Sequence, residues 1–217
     1  MDLNNYPFLE KISKISQKVI ISTGFSNYLE IKRAANIFKK NRKKNVIFLH
    51  CVGLYPVKDH FINMDSLDYL KKITGYEVGW SDHFLGTKAS EIAAVKGAKI
   101  IEKHFTFNKK AKGWDHKISA DLNEMKKLTD IIQRNSLIIG SKKKKISNDE
   151  IKLSKVMRRS IIINKKLQKN QKIIFADLSF QRPGTGFPPE IYKKFIGKKV
   201  NKTIQKGSIL KYSHFKN

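Results

Sequence analysis

The chain has 217 residues, 40% of them hydrophobic, with 45 Lys and Arg against 18 Asp and Glu and a formal net charge of +27. This length and apolar content fit one large domain or two small ones with a real core, and they exclude a disordered chain. The single cysteine excludes an internal disulfide, and no apolar run approaches the roughly 18 residues of a membrane span or forms a signal peptide, so we expect a cytoplasmic protein without a membrane partner.

The first 140 residues repeat one pattern four times: a short apolar run, then polar residues, then a helical periodicity. The apolar runs predict strands over residues 19–22, 45–51, 77–81 and 99–102. The helical patterns cover residues 5–16, 28–40, 66–74, 88–96 and 123–137. Strands that alternate with helices predict a parallel sheet, with functional residues at the carboxyl ends of its strands.

Reactive side chains follow these predicted strands closely. They are Ser22, His50, Tyr55, Ser81, His83, Glu102 and His104. His83 and His104 lie 21 residues apart, which fits one β-α-β step, so the strand ends could bring both imidazoles to one metal ion. The alternative is two unrelated histidines near a core, since Zn, Mn, Fe and Cu all accept imidazole and two ligands alone do not define a site.

The composition changes after Gly140. Residues 141–155 are charged and rich in Ser and Lys, which predicts a linker. Residues 156–217 contain short β-like pieces at 160–163, 172–175 and 208–210, broken by glycines and prolines. We therefore expect a first domain over 1–140 and a second, small, β-rich domain over 156–217.

Seven motifs of the chain resemble those of the sialic acid synthase family, which condenses phosphoenolpyruvate with N-acetylmannosamine or a related acetamido sugar. They are Leu-Asn-Asn-Tyr-Pro at 3–7, Ile-Ser-Thr-Gly at 21–24, Leu-His-Cys at 49–51 with Tyr-Pro at 55–56, Gly-Trp-Ser-Asp-His at 79–83, Ile-Glu-Lys-His-Phe at 101–105, Gly-Trp-Asp-His-Lys at 113–117, and Arg-Ser at 159–160 followed by Arg-Pro-Gly-Thr-Gly at 182–186. Their order and separations match along essentially the whole chain. One departure is Gly53, where family members often have Asn or Ser near the phosphate.

The resemblance implies an α/β fold, the C-terminal half of a (β/α)8 TIM barrel (strands five to eight) followed by a small antifreeze-protein-like domain, or SAF domain. It implies that His83 and His104 bind a catalytic divalent metal ion, Mn or Mg. Ser22 and Ser81 would hold the phosphate of phosphoenolpyruvate, and Tyr55 would line the sugar site.

The same resemblance implies catalytic roles for Asp115, Arg182 and Asp2. Asp115 would contact the open-chain sugar, and Asp2 lies where an acidic active-site residue is expected. Arg182 would reach the sugar's N-acetyl group in a homodimer whose small domain covers the partner's barrel. Simpler readings exist: Ser22 as a helix cap, Tyr55 as a packed turn residue, Asp115 as a loop residue and Arg182 as a surface cation.

The chain begins where the family is about to leave its fourth barrel strand, so we expect strands one to three to come from a separate N-terminal half or to be missing from a split or shortened gene. The leading hypothesis is a nonulosonic acid synthase, a transferase that is complete only with this half. One alternative is an inactive sugar-binding or dimerisation module. Another is a nucleic-acid-binding protein, which the dispersed lysines and the lack of a binding motif disfavour.

Overall fold

A parallel four-stranded sheet organises the first 140 residues. The computed structural model describes residues 2–215 and places β1 at Val19–Ser22, β2 at Val46–Cys51, β3 at Glu77–Asp82 and β4 at Ile101–Lys103. The strand order is β1-β2-β3-β4, and every pair is parallel. All four strands were expected from the sequence, with bounds that differ by at most two residues.

Six helices accompany this sheet. They are α1 (Tyr6–Ile15), α2 (Tyr28–Lys40), α3 (Asp59–Ile62), α4 (Ser66–Thr74), α5 (Lys88–Val95) and α6 (Leu122–Ile139). Capping boxes fix the start of two of them. The side chain of Asn27 accepts hydrogen bonds from the first turn of α2, and Asp121 forms the corresponding capping box with Glu124 at the start of α6. The short α3 was not predicted.

The core of this unit lies between the sheet and the helices. Phe38 of α2 packs there with Phe48 of β2 and Trp80 of β3, and all three side chains are fully buried. Because side chains alternate across a strand, the neighbours of Trp80 point away from the helices, toward the opposite face of the sheet. Residue 81 therefore faces the side on which a barrel would enclose its interior.

The outer edge of β1 has no strand partner within residues 2–215, since the sheet ends there. A cavity of about 380 Å³ lies beside this edge, between α1 and β1. Its lining includes Asp2, Leu9 and Ile21. The inner strands β2 and β3 are thus paired on both sides, whereas β1 and β4, at the two ends of the sheet, each pair on one side within residues 2–215.

The second compact unit begins at Ser141 and is built differently. It contains α7 (Asn148–Met157) and an antiparallel pair of strands, β5 (Ser160–Ile163) and β6 (Leu178–Gln181). A 3₁₀ helix lies between the two strands, at Phe175–Asp177, and two more follow β6, at Pro189–Lys194 and Tyr212–His214. Ile161, Ile163 and Leu210 are fully buried in its apolar core.

The second unit departs from the sequence expectations at three places. Residues 148–157 are helical where a linker was predicted, because Ser147 caps the helix and Asp149 and Glu150 lie in its first turn. Residues 172–175 and 208–210 contribute single bridges, at Lys172 and Ile209, in place of strands. No helix in the described part of either unit is long and apolar enough to cross a bilayer.

We expect Gly79→Ala to lower the free energy of unfolding of the first unit by about 1–3 kcal/mol through overpacking. A Cβ at residue 79 would lie 2.5 Å from the carbonyl oxygen of Ile100 and 2.5 Å from Cδ2 of Leu49. Urea unfolding followed by tryptophan fluorescence measures this change, since Trp80 is buried in the unit. Lys127→Ala, on the exposed face of α6, is the control and should change stability by less than about 0.5 kcal/mol. Equal stability of both variants would contradict the described packing.

Candidate active site at the carboxyl ends of the strands

The carboxyl ends of β3 and β4 bring two imidazole rings together. Asp82 and Lys103 are register partners, so His83 and His104, the residues that follow them, are also neighbours. The ring centroids of the two histidines lie 5.4 Å apart. Nδ1 of His83 lies 2.9 Å from the carbonyl oxygen of Val52, which can only accept a hydrogen bond. His83 therefore donates from Nδ1 and keeps the lone pair of Nε2 available for a ligand.

A cavity of about 240 Å³ is lined by five of the residues predicted for the site, the two histidines included. Its lining residues are Ser22, Gly24, Phe25, Cys51, Gly53, Tyr55, Ser81, His83, Glu102 and His104. The Tyr55 ring lies against His83, at a centroid distance of 3.9 Å, and approaches His104 edge-on at 5.9 Å. The predicted phosphate-binding, sugar-binding and metal-binding residues of the first domain thus share one cavity, apart from the acidic ones.

Ser81 and Glu102 form a polar contact inside this cavity. The hydroxyl of Ser81 donates to Oε1 of Glu102 at 2.6 Å, across the β3–β4 pair. Glu102 was noted at a strand end but was not predicted as a site residue. The signal that could have identified it is its position two residues before His104, which places both side chains on the same face of β4.

Cys51 lies behind His83, with its sulfur 3.9 Å from Nδ1. Burial raises the pKa of the Cys51 thiol, but contacts with His83, Ser22 and Ser81 outweigh burial, so that the pKa is lowered. Burial likewise acts to lower the pKa of His83, and its hydrogen bonds to Cys51 and Val52 outweigh that effect and raise it. Of these two contacts, the shorter one, to the Val52 carbonyl oxygen, is the hydrogen bond that His83 donates from Nδ1–H.

Gly53 is covered by the ring of Phe25. A Cβ at residue 53 would lie 2.3 Å from Cζ of Phe25, so the aromatic ring occupies the space that a side chain at 53 would need. Phe25 has a left-handed backbone conformation, with φ of 61°. The cavity wall therefore has an aromatic face where the family often has a polar side chain.

Asp115 lies beside His104 in the loop after β4. Its Oδ2 is 3.8 Å from Nδ1 of His104. The loop is anchored by hydrogen bonds from Ser119 to the Asp115 carbonyl oxygen and by a 2.8 Å contact between Thr106 and His116. A carboxylate close to the second nitrogen of a histidine can fix the orientation of its ring.

Asp2, which was predicted as catalytic, and His50, which was only noted at a strand end, lie elsewhere. Asp2 lines the cavity between α1 and β1, which shares only Ser22 with the cavity of the histidines. His50 does not reach the histidine cavity, because its Nε2 donates to the carbonyl oxygen of Ile62 at 2.7 Å and its ring lies 5.2 Å from Trp80. Burial lowers the pKa of His50, despite that hydrogen bond. His50 therefore lies on the face of the sheet that packs against the helices, where its role is structural.

Arg182 belongs to the second unit, in a loop that hydrogen bonds anchor at Arg182, Pro183 and Gly186. Its Nε donates to the carbonyl oxygen of Met157 at 3.0 Å. The buried hydroxyl of Ser160 donates to the Pro183 carbonyl oxygen at 2.6 Å and accepts from the Gly186 amide at 2.8 Å. The loop therefore presents its arginine from a fixed backbone.

The two histidines supply a partial donor set for a metal ion. In the part of the chain that the structure describes, no group of three or more His, Cys, Asp or Glu side chains is arranged to hold one. Two imidazoles beside hydroxyls and a carboxylate nevertheless suit a catalytic ion, which keeps coordination positions open for water or substrate oxygens.

Known families provide the remaining evidence. Residues 1–144 match the NeuB family, and residues 158–216 match the SAF domain. The chain belongs to the NeuB family. The predicted family and fold class, half of a TIM barrel followed by a SAF domain, are confirmed.

Relatives of this NeuB family member are named as synthases of nonulosonic acids. It is 34% identical to N,N'-diacetyllegionaminic acid synthase of Campylobacter jejuni, over 97% of this chain and 64% of the relative. It is 32% identical to pseudaminic acid synthase of the same species, over 99% of this chain and 62% of the relative. The crystal structure of N-acetylneuraminic acid synthetase from Leptospira borgpetersenii is 35% identical, with a TM-score of 0.64, over 70% of this chain and 53% of that one. The chain thus spans less than two thirds of these proteins.

We expect Ser160→Ala to destabilise the second unit by about 1–3 kcal/mol, because it leaves the Gly186 amide and the Pro183 carbonyl without their buried partner. Hydrogen exchange at the Gly186 amide should speed up accordingly. Ser179→Ala is the matched control, since that hydroxyl makes only longer contacts, of 3.5 Å to the Ile162 carbonyl oxygen and 3.3 Å from the Gln181 side chain. Unchanged exchange at Gly186 would show that Ser160 does not hold the Arg182 loop.

Proposed function

We propose that this NeuB family member is a nonulosonic acid synthase, which condenses phosphoenolpyruvate with N-acetylmannosamine or a related acetamido sugar and releases phosphate. The observation that carries the proposal is the pair of imidazoles, with ring centroids 5.4 Å apart, in a cavity that also contains two serine hydroxyls and a tyrosine. The names of the relatives, which are legionaminic and pseudaminic acid synthases, support it.

In the proposed reaction, C3 of phosphoenolpyruvate forms a bond to the aldehyde carbon of the open-chain sugar. Water adds at C2 of the resulting oxocarbenium ion, and the C2–O bond to phosphate breaks. A divalent metal ion, Mn or Mg, bound by His83 and His104 would polarise the aldehyde as a Lewis acid. The Val52 carbonyl oxygen would orient the His83 ring by accepting a hydrogen bond from its Nδ1–H. Asp115, whose Oδ2 lies 3.8 Å from Nδ1 of His104, would orient that ring and contact the open-chain sugar.

The serine hydroxyls are the proposed phosphate ligands. Ser22 and Ser81 line the same cavity at the ends of β1 and β3, and a hydroxyl can donate to a phosphate oxygen. Before substrate binds, Ser81 donates to Glu102. Phosphate would compete with this carboxylate for the hydroxyl, so binding of phosphoenolpyruvate would release Glu102 from this contact.

The proposed sugar site would combine side chains of two subunits. Tyr55 would line it, since its ring lies against His83. Arg182 would donate to the oxygen of the N-acetyl group, because a guanidinium is a rigid, planar donor. We propose that it does so in a homodimer, where the small domain of one chain covers the barrel of its partner.

A separate N-terminal half is part of the proposal. Among residues 2–215, β1 pairs on one side only, and a cavity lined by both polar and apolar residues lies beside it, next to α1. Exposed edges of this kind favour pairing with a further strand. We propose that the first strands of the barrel pair there and that Asp2 acts in the completed site.

The synthase proposal is tested by phosphate release from phosphoenolpyruvate, with Mn²⁺ or Mg²⁺ and a panel of acetamido sugars. We expect release that depends on sugar and metal when the chain is co-expressed with the N-terminal segment of the Campylobacter jejuni relative. The chain alone should stay at background, because catalysis requires two substrates held together. His83→Ala or His104→Ala should reduce the rate at least about 100-fold.

His60→Ala is the control for that assay, since His60 is exposed, lies against Phe61 and is outside the cavity. Its rate should equal that of the unmodified chain. Absence of release in every combination, together with measurable sugar binding by calorimetry, would favour the inactive sugar-binding module over the synthase.

The partner role of Arg182 predicts complementation between two inactive variants. In the completed enzyme, Arg182→Ala should lower the rate strongly without a change in melting temperature, because an exposed loop cation contributes little to a core. Mixed dimers of Arg182→Ala and His83→Ala should recover part of the activity, since one of their two sites has an intact metal pair and an intact arginine. The surface variant Lys193→Ala should remain fully active. No recovery in verified mixed dimers would mean that Arg182 serves its own subunit.

A further inference from the structure

Asp82 and Lys103 form a buried ion pair directly behind the histidines. Nζ of Lys103 lies 3.1 Å from Oδ2 of Asp82, and the two side chains are 2% and 0% exposed. Every other ion pair within residues 2–215 has at least one side chain that is exposed by a third or more. A buried pair of this kind contributes little net stability, because desolvation of the charges offsets their attraction. Its presence therefore calls for another role.

The pair is part of a network that holds four segments together. Oδ2 of Asp82 accepts a second hydrogen bond, from the buried hydroxyl of Ser90 in α5, at 2.5 Å. Oδ1 accepts from the amide of Phe84 at 2.8 Å, and Lys103 donates to the carbonyl oxygen of Phe84 at 2.8 Å. The network thus fixes the ends of β3 and β4, the first turn of α5 and both backbone groups of residue 84.

The network includes direct sequence neighbours of both histidines. Asp82 and Phe84 flank His83, and Lys103 immediately precedes His104. Asp82 and Lys103 are also register partners. Since consecutive side chains of a strand point to opposite faces, the ion pair lies on the helix side and both rings point into the cavity. A shift between the ends of β3 and β4 would therefore separate the rings.

We propose that Asp82 and Lys103 are positioning residues, which set the spacing and orientation of the His83 and His104 imidazoles without touching metal or substrate. The inference rests on the proposed function, in which these two rings share a metal ion. An apolar pair could fill the same volume, but it could not hold the amide and the carbonyl of Phe84. Groups that orient metal ligands typically change metal affinity about 10- to 100-fold when they are removed.

Metal binding by the 217-residue chain tests this proposal. Mn²⁺ affinity is measured by electron paramagnetic resonance and Co²⁺ binding by its visible absorption, without phosphoenolpyruvate or sugar. The double variant Asp82→Asn/Lys103→Met removes both charges and retains most of the volume. We expect it to fold, by circular dichroism and Trp80 fluorescence, to bind Mn²⁺ about 10- to 100-fold more weakly, and to show an altered Co²⁺ spectrum.

Two further variants make the result interpretable. Ser90→Ala removes one hydrogen bond of Asp82 and serves if the double variant does not fold; it should weaken Mn²⁺ binding about tenfold. Asp65→Asn/Lys96→Met removes a surface ion pair of the same composition and should leave affinity and spectrum unchanged. A purely structural role would lower stability without a change in the Co²⁺ spectrum of the folded protein.

The outcomes separate this inference from the synthase proposal. Folded variants with the Mn²⁺ affinity and Co²⁺ spectrum of the unmodified chain would overturn the positioning role alone. Binding that is equal in the unmodified chain and in His83→Ala would overturn both the positioning role and the proposed metal site. A negative synthase assay does not alter the metal titration, since no substrate is used in it.

Discussion

The alternation of side chains across β3 and β4 is the constraint on which this fold and its site depend. Val78 and Trp80 of β3 face the helices and are buried, while Ser81 and the following His83 face the cavity. The β3 segment therefore supplies side chains to the apolar core from one face and to the candidate site from the other. A register shift of one residue would place a tryptophan in the cavity and a histidine in the core, so correct packing and a correct site are the same condition.

The large positive charge and the local polarity of the site act over different distances. With 45 Lys and Arg against 18 Asp and Glu, the chain creates a field that attracts anions of any kind. The cavity itself contains a carboxylate, Glu102, which is already engaged by a serine hydroxyl. The field would concentrate any anionic ligand, the proposed phosphoenolpyruvate included, whereas the hydroxyls and imidazoles would determine where it binds.

The sequence predicted the strands of the first unit and most of its cavity, because both follow from local patterns. The four apolar runs and the residues after them needed no knowledge of distant contacts. The features that were missed depend on the tertiary structure: Glu102 meets Ser81 only through the β3–β4 register, and the four-residue β6 becomes a strand only by pairing with β5. Helix α3 has four residues, too few to show a period. Asp2 and the two histidines line different cavities, and no sequence pattern indicates this separation.

The open edge of β1 presents a row of backbone hydrogen-bonding groups without a strand partner within residues 2–215. The apolar side chains of Ile20 and Phe8, which line the same cavity beside β1, are also exposed. An edge of this kind is a template for another extended segment. A strand that paired with β1 would therefore satisfy the backbone groups and cover the apolar side chains in one step.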